Sequence, residues 1–295
     1  MSIYLDNNTN NNPKATEILK YLADSEIMKD NKIKNIEVFK DIDNFSKEQI
    51  LYLIEIAMKA NRNEDVIICY EKLFQLYPST SLTIDELNTL EGSLKLYVAG
   101  RQKNINYLYR LYSRSQNKEN DFDDMENDNQ LLLTGITNER IRTEGQVASF
   151  VNRYLKLIDN NLLQNIAKKD KEPDRSVEVF LYRIKGDINK YLSQVENEDK
   201  NKREFIRSAQ QAYYNSYNIA VRYLDVQDVS YLNAILSYTK FLVYFKNNKS
   251  EAQNILNLLF AKKEFQKVLN STYENDKEKK EIAEELVKIK ISLEK

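Results

Sequence analysis

The sequence predicts an all-α fold, and three observations carry that prediction. Apolar residues recur along most of the chain at the spacing that places them on one face of a helix. Only five Gly and three Pro occur among 295 residues, so few positions can interrupt a helix. Alternation of apolar and polar residues, which is typical of strands, is scarce.

Caps and breakers set the limits of the helices. Pro78 ends the second helix, the capping box of Thr83 and Glu86 opens the third, and Asp174 opens the fifth. Long helices with short connections are typical of antiparallel neighbours. Nine helices are predicted, at about 47–62, 64–77, 83–115, 136–167, 175–197, 202–224, 229–247, 250–268 and 275–294.

Two segments fall outside this helical pattern. Residues 1–45 are rich in Asn and Lys and are predicted to form a loosely ordered N-terminal extension. A polar insert at about 116–130 separates the third helix from the fourth. Residues 46–295 are therefore predicted to form the folded domain.

Composition limits the classes of partner and compartment. Charged residues make up 30% of the chain, but the net charge is only −1, which argues against nucleic-acid binding. No apolar run reaches the roughly 18 residues of a membrane span. The start of the chain lacks the basic and apolar pattern of a signal sequence. With a single cysteine, Cys69, in an apolar helical run, we expect a cytoplasmic protein.

Missing residue types exclude most catalytic chemistry. The chain has no His, which removes imidazole bases and the Ser-His and Cys-His nucleophile pairs. One Cys and no His leave no zinc site. The acidic run 121–128 lacks the turn glycine of a calcium loop, and Leu132 stands where such a loop needs Glu. We therefore predict no enzyme activity, no metal and no cofactor.

One predicted helix points to anion binding. Arg183 and Lys190 are seven residues apart, which places them on one face about 10 Å apart along the helix axis. Tyr191 follows directly. Basic groups repeated along a face of an amphipathic helix favour an anion site.

The same helix resembles a signature of the 14-3-3 family. The sequence of residues 179–191, VFLYRIKGDINKY, is similar to the family pattern VFYLKMKGDYYRY. Three further segments resemble family motifs: Ser-Ala-Gln-Gln-Ala-Tyr at 208–213, Asn-Asn-Lys-Ser-Glu-Ala at 247–252 and the turn at 57–65. The resemblance covers residues 46–295. It implies nine antiparallel helices that form a cup-shaped protomer, which dimerises through its first four helices.

The resemblance also implies a phosphopeptide-binding groove. The family grips phosphate with a Lys and an Arg on the third helix and an Arg-Tyr pair on the fifth, and those places hold Lys95, Gln102, Lys190 and Tyr191. Both Arg positions are changed, so we expect an altered or weakened grip on phosphate. Arg183 corresponds to a Lys of the family that lies nearer to the bound peptide than the residues of the phosphate grip do. Further groove positions correspond to Leu236, Ser237, Leu286 and Lys290.

Dimer positions keep their charge signs. In the family, an Arg and an Asp at the first interhelical turn pair with a Glu and a Lys on the fourth helix of the partner. The corresponding residues here are Arg62, Asp65, Glu144 and Arg140, with Ile56 and Ala60 as the apolar centre. A homodimer is therefore expected.

Two functions remain open at this stage. The first is a dimeric adaptor that binds phosphoserine or phosphothreonine segments of other proteins. The alternative is a divergent helical scaffold that binds unphosphorylated or acidic segments through the same groove.

Overall fold

The computed structural model describes residues 42–116, 126–167, 174–196, 198–271 and 277–294. All regular elements within these ranges are helical, which confirms the all-α prediction. The predicted extension up to residue 41, and residues 117–125 of the predicted insert, lie outside the described residues. No described helix is both long and apolar enough to cross a membrane.

Each predicted helix has a counterpart among the described residues, with two differences. The fourth helix begins at Glu126 instead of 136 and continues through a π-helical turn at Ile158–Leu162. The predicted helix at 250–268 is divided in two by Lys262, whose backbone is extended. The helices are α1 Lys47–Lys59, α2 Asn63–Leu76, α3 Ile84–Gln116, α4 Glu126–Leu157, α5 Leu163–Ala167, α6 Arg175–Val195, α7 Asp199–Tyr223, α8 Val229–Tyr244, α9 Lys249–Phe260, α10 Lys263–Leu269 and α11 Lys277–Leu293.

The chain divides into two compact units. The first comprises the residues up to Thr80 together with Asp85–Leu96, so it holds α1, α2 and the first part of α3. The Tyr70 hydroxyl donates a hydrogen bond to the Glu86 carbonyl at 2.7 Å, which ties α2 to α3. The buried core of this unit includes Ile50, Leu53, Ile54, Val66, Ile67, Tyr70, Leu73, Phe74, Leu87, Leu90 and Leu94.

Residues 42–45 of the predicted extension are attached to this first unit. Ile42 is fully buried. The Lys72 ammonium lies 2.8 Å from the Asp43 carboxylate, and the Tyr77 hydroxyl donates to the Phe45 carbonyl at 2.8 Å. The folded part of the chain therefore includes residues before the predicted boundary at 46.

The second unit comprises Ser81–Ile84 and the residues from Tyr97 onward. In this unit α6 and α7 pack closely at Gly186, where the ring of Tyr213 lies against the α6 backbone. A Cβ atom at Gly186 would lie 2.6 Å from that ring. The Ser216 hydroxyl adds a buried hydrogen bond to the Val179 carbonyl at 2.8 Å. One buried cluster of this unit extends over α8 to α11 and includes Leu232, Ile235, Phe241, Leu242, Leu256, Leu259, Phe265 and Leu286. Another part of the core comes from α4 and includes Val147, Phe150, Val151 and Tyr154.

Candidate anion-binding site

Helix α6 carries the predicted anion site, and its start is well defined. The Asp174 side chain accepts hydrogen bonds from the backbone N–H groups of Ser176 at 3.1 Å and Val177 at 3.2 Å. These bonds satisfy two of the N–H groups that the first turn of a helix leaves without partners. The cap fixes the start of α6, and helical periodicity places positions 183, 187 and 190 on one face.

The Asp187 carboxylate lies at the centre of this face. The Lys190 ammonium is 2.6 Å from Asp187 Oδ1, and the Arg183 guanidinium is 3.7 Å from Oδ2. The Tyr213 hydroxyl on α7 donates to Oδ1 at 2.7 Å. Two cations and one carboxylate thus form a cluster of formal charge +1.

Arg183 is a buried part of this cluster rather than an exposed contact residue. It is 7% exposed, and its guanidinium lies 4.7 Å from the centre of the Phe180 ring. Lys190 is more open, with 27% of its side chain exposed. Its ammonium lies 5.3 Å from the centre of the Tyr191 ring. Of the two cations in this cluster, Lys190 is therefore the one that an incoming anion reaches more readily.

Sequence reasoning missed two members of the cluster. Asp187 stands four residues after Arg183 and three before Lys190, a spacing that could have identified it. Tyr213 lies on another helix, and no local pattern pointed to its contact with Asp187. Burial, together with the charge of Asp187 and the hydrogen bond to it, raises the pKa of Tyr213 well above its usual value. Tyr213 is therefore a neutral donor at physiological pH.

The structure places Gln102 beside another amide. Its Nε2 atom donates to Oε1 of Gln194, near the end of α6, at 3.3 Å. Both residues belong to the second unit. On the preceding position of α3, the Arg101 guanidinium lies 5.2 Å from the centre of the Tyr97 ring. A neutral amide pair thus occupies the position where the resemblance implies an Arg.

Lys95 belongs to the first unit and forms an ion pair on its own helix. Its ammonium lies 2.6 Å from the carboxylate of Glu91, one turn earlier. The Lys95 side chain is 53% exposed, whereas that of Glu91 is 9% exposed. Lys95 is thus accessible but already partly neutralised.

The remaining predicted groove residues differ in exposure. Leu236 is 7% exposed and Leu286 is fully buried, so both belong to the core of the second unit. Ser237 on α8 is half-buried. The ammonium of Lys290 on α11 lies 4.5 Å from the centre of the Phe260 ring.

The predicted dimer residues of the first unit lie around the turn between α1 and α2. Ile56 is half-buried and Ala60 is exposed. Arg62 and Asp65 form an ion pair with each other. Burial raises the pKa of the Asp65 carboxyl above its usual value, and the charge of Arg62 opposes that rise. A carboxylate that is partly desolvated in this way would gain from a second cation.

The predicted dimer residues of the second unit lie on α4. The Arg140 guanidinium donates to the Tyr109 hydroxyl at 2.6 Å, while Glu144 is 3.9 Å away. Glu144 is 7% exposed, and its Oε2 atom has no hydrogen-bond partner. Ile141 between them is 53% exposed.

Comparison with known proteins assigns this helical chain to a family. A family model described as "14-3-3 protein" matches residues 53–292, a range that includes every predicted site residue. The chain belongs to the 14-3-3 family. This confirms the family assignment that the motifs of α6, α7 and α9 suggested.

Curated 14-3-3 relatives share about a quarter of their residues with this chain. A 14-3-3-like protein of Oenothera elata subsp. hookeri is 26% identical over 214 residues, which is 72% of this chain and 76% of that protein. The 14-3-3-like protein GF14-F of Oryza sativa subsp. japonica is 24% identical over 215 residues, 73% of this chain and 76% of its own length. The 14-3-3-like protein F of Nicotiana tabacum is 25% identical over 216 residues, with 73% and 78% covered.

Family membership supports a general function as an adaptor that binds phosphopeptides. The 14-3-3 proteins are adaptors rather than enzymes. Among the residues that the structure describes, no group of three or more Cys, Asp or Glu could hold a metal ion.

Proposed function

We propose that this 14-3-3 protein is an adaptor that binds phosphoserine or phosphothreonine segments with a weakened grip on the phosphate. The observation that supports this most is the position of Lys190, which is partly exposed on α6 and anchored by Asp187 at 2.6 Å. An ammonium has three N–H donors, so this contact leaves two for phosphate oxygens. Tyr191, next to Lys190, would add a hydroxyl donor.

The expected weakness follows from the side chains at the former Arg positions. Arg binds phosphate through two parallel hydrogen bonds, whereas Lys acts as a point charge and Gln carries no charge. A charge-assisted hydrogen bond contributes about 1.5–3 kcal/mol. Replacement of two such groups, with one positive charge retained at Lys190, would weaken phosphate binding on the order of 100-fold.

The proposed role of Lys95 rests on the family resemblance. In the first unit, its ammonium is paired with Glu91, so binding of phosphate would have to share or replace that contact. The proposed groove also includes Arg183 as an internal support, Ser237 and Lys290 as peptide-facing positions, and Leu236 and Leu286 in its wall. Since Leu236 and Leu286 are buried, they would support the groove wall from behind.

A restoration experiment tests the weakened grip. The double variant Gln102→Arg, Lys190→Arg should bind a phosphoserine peptide about 10- to 100-fold more tightly than the native protein. The reason is that it restores two guanidinium groups, each of which can form two parallel hydrogen bonds to the phosphate. The matched control is Lys185→Arg, on the same helix but paired with Asp159 at 2.7 Å. If the double variant binds the phosphoserine peptide with the affinity of the native protein, residues 102 and 190 do not contact the phosphate.

The alternative function is a scaffold that binds unphosphorylated or acidic segments. Two observations favour it. Gln102 pairs with Gln194, so that position is neutral, and both Lys95 and Lys190 already have carboxylate partners. Peptides with Glu in place of the phosphorylated residue would then bind as well as the phosphopeptide.

We also propose that the protein forms a homodimer through α1, α2 and α4. The Oε2 atom of Glu144 lacks a hydrogen-bond partner in the protomer, and Ile141 beside it is exposed. Arg62 of the partner subunit would supply the missing donor. Asp65 and Arg140 would form the second pair. A cytoplasmic location and the lack of enzyme activity belong to the same proposal.

A further inference from the structure

The part of α3 in the second unit carries a basic face that neither the proposed phosphate grip nor the proposed dimer uses. From residue 97 to residue 116 the sequence holds four basic residues and no acidic one. Lys103, Tyr107, Arg110 and Arg114 follow one another at intervals of four, three and four residues, which brings them to one side of the helix. We call these four residues the basic face.

The basic face is open to solvent, and its cations are not neutralised by neighbours. Lys103, Arg110 and Arg114 are exposed, and no ion pair joins any of them to another residue in the part of the chain that the structure describes. Tyr107 is 59% exposed. Ile105, which is two residues away and therefore on the other side of α3, is only 8% exposed. The basic face thus lies opposite the core side of the helix.

Two contacts fix how this part of α3 runs beside α4. Tyr97 stacks on Phe150, with ring centroids 3.7 Å apart. Twelve residues further along α3, the Tyr109 hydroxyl accepts a hydrogen bond at 2.6 Å from Arg140, which lies ten residues before Phe150. The two helices are therefore antiparallel, and the last turns of α3 lie beside the first turns of α4.

Two exposed leucines lie at that end of the helix pair. Leu131 is 73% exposed and Leu132 is 51% exposed. Leu132 is eight residues before Arg140, about 12 Å along α4, and Arg114 is five residues after Tyr109, about 8 Å along α3 in the same direction. The two leucines therefore extend the basic face with an apolar surface.

We propose that the basic face, together with Leu131 and Leu132, binds the surface of a lipid bilayer that carries anionic headgroups. Lys and Arg are attracted to such headgroups, Tyr is favoured at headgroup depth, and Leu gains from the acyl boundary. An acidic protein segment would pair with the cations but would not account for the exposed leucines. This inference does not depend on phosphopeptide binding.

The acidic run that follows α3 in the sequence determines the choice of starting proteins. Glu119, Asp121, Asp123 and Asp124 carry charges that oppose binding to an anionic bilayer. Binding is therefore measured with the native protein and with the triple variant Asp121→Asn, Asp123→Asn, Asp124→Asn, in which most of that opposing charge is removed.

The test is co-sedimentation with vesicles of phosphatidylcholine alone and of an equal mixture of phosphatidylcholine and phosphatidylserine. Each basic residue near an anionic surface strengthens binding roughly five-fold, so three predict about 100-fold stronger binding to the mixed vesicles. At an ionic strength of about 1 M, where charges are screened beyond about 3 Å, binding should fall at least about 10-fold.

Two variants remove the two parts of the surface separately. Lys103→Gln, Arg110→Gln, Arg114→Gln should weaken binding to the mixed vesicles about 100-fold, because it removes the three unpaired cations. Leu131→Gln, Leu132→Gln should weaken it at least about 10-fold, because two side chains that enter the acyl boundary become polar. All five residues are exposed, so the core is unchanged.

The matched control is Lys200→Gln, Lys202→Gln, Arg203→Gln. It removes three exposed cations from α7 and so changes the net charge by the same amount as the variant of the basic face. It should bind the mixed vesicles as its parent does. Thermal unfolding of each variant confirms that it is folded.

Binding of either starting protein to the mixed vesicles, weakened by both surface variants and not by the control, supports the proposal. It is overturned if neither starting protein binds, if neutral vesicles bind equally well, or if the control loses as much binding as the variant of the basic face. A soluble peptide of ten glutamates is the second probe. If the basic face binds that peptide while neither starting protein binds vesicles, the surface recognises acidic protein segments and the lipid proposal is wrong.

Discussion

At the scale of single residues, Asp187 determines what the cations of α6 can do. It accepts from Lys190 and Tyr213 through the same oxygen and lies near Arg183 on the other. The sequence alone suggested two cations available for a ligand. The structure shows one buried cation, one partly exposed cation and an internal counter-ion. The spacing on α6 could have identified the counter-ion, whereas the hydrogen bond from Tyr213 is a contact between two helices, which periodicity within one helix cannot reveal.

Cys69 offers a residue-scale test of the first core. Burial raises the pKa of its thiol to about 12, so at pH 8 only about one molecule in ten thousand carries the reactive thiolate. We expect alkylation of the native protein to be at least about 1000-fold slower than that of the protein unfolded in guanidinium chloride, where the thiol pKa is about 8.5. The measurement is mass spectrometry over time. Equal rates would show that α2 does not protect its cysteine.

At the scale of elements, sequence reasoning succeeded where apolar periodicity and caps coincide. The Asp174 cap and the apolar face of α6 could both be predicted from the sequence, and the structure confirms that helix. Two helix boundaries could not be predicted. Helix α4 starts at Glu126 with Leu131 and Leu132 exposed, so its first turns lack the apolar stripe that would have predicted them. The break at Lys262 contains no Gly or Pro.

Gly186 tests how α6 packs on α7. A Cβ atom there would lie 2.6 Å from the ring of Tyr213, which is buried and tied to Asp187. Overpacking of this kind costs about 1–3 kcal/mol, while Ala in place of Gly returns up to about 1 kcal/mol of helix propensity. Gly186→Ala should therefore lower the free energy of unfolding by about 1–2 kcal/mol, measured by urea denaturation.

The control for this substitution is Gly135→Ala on α4. Its Cβ position has no atom within 4 Å, so only the propensity term applies and the variant should be as stable as the native protein or more so. If Gly186→Ala matches this control, the close packing of Tyr213 against α6 does not limit stability.

The whole molecule is a member of the 14-3-3 family, for which we propose a dimer. The all-α fold could be predicted from apolar periodicity and the scarcity of Gly and Pro, and the family from motifs spread over several helices. The site could be predicted only in part. The resemblance implies a groove position for Leu286, and the structure adds that this side chain is fully buried, which a correspondence of positions cannot say. Lys95 and Lys190 gained carboxylate partners that the resemblance did not imply.

Charge reversal tests the proposed dimer. Asp65→Lys places like charges opposite Arg140 of the partner subunit and should weaken self-association about 10-fold or more, as like-charge contacts at interfaces are costly. Adding Arg140→Glu should partly restore it. Sedimentation equilibrium measures both effects, and Glu284→Lys on α11 is the charge-matched control. A native protein that stays monomeric at all concentrations would contradict the proposed interface.

Phosphate-dependent binding is measured by fluorescence titration with matched phosphoserine and unphosphorylated peptides. A phosphate carries close to two negative charges at pH 7, so we expect at least about 10-fold tighter binding of the phosphopeptide. This preference should be lost in Lys95→Glu and in Lys190→Glu but kept in the control Lys185→Glu. Equal affinities for the two peptides in the native protein would contradict the account and favour the scaffold for unphosphorylated segments.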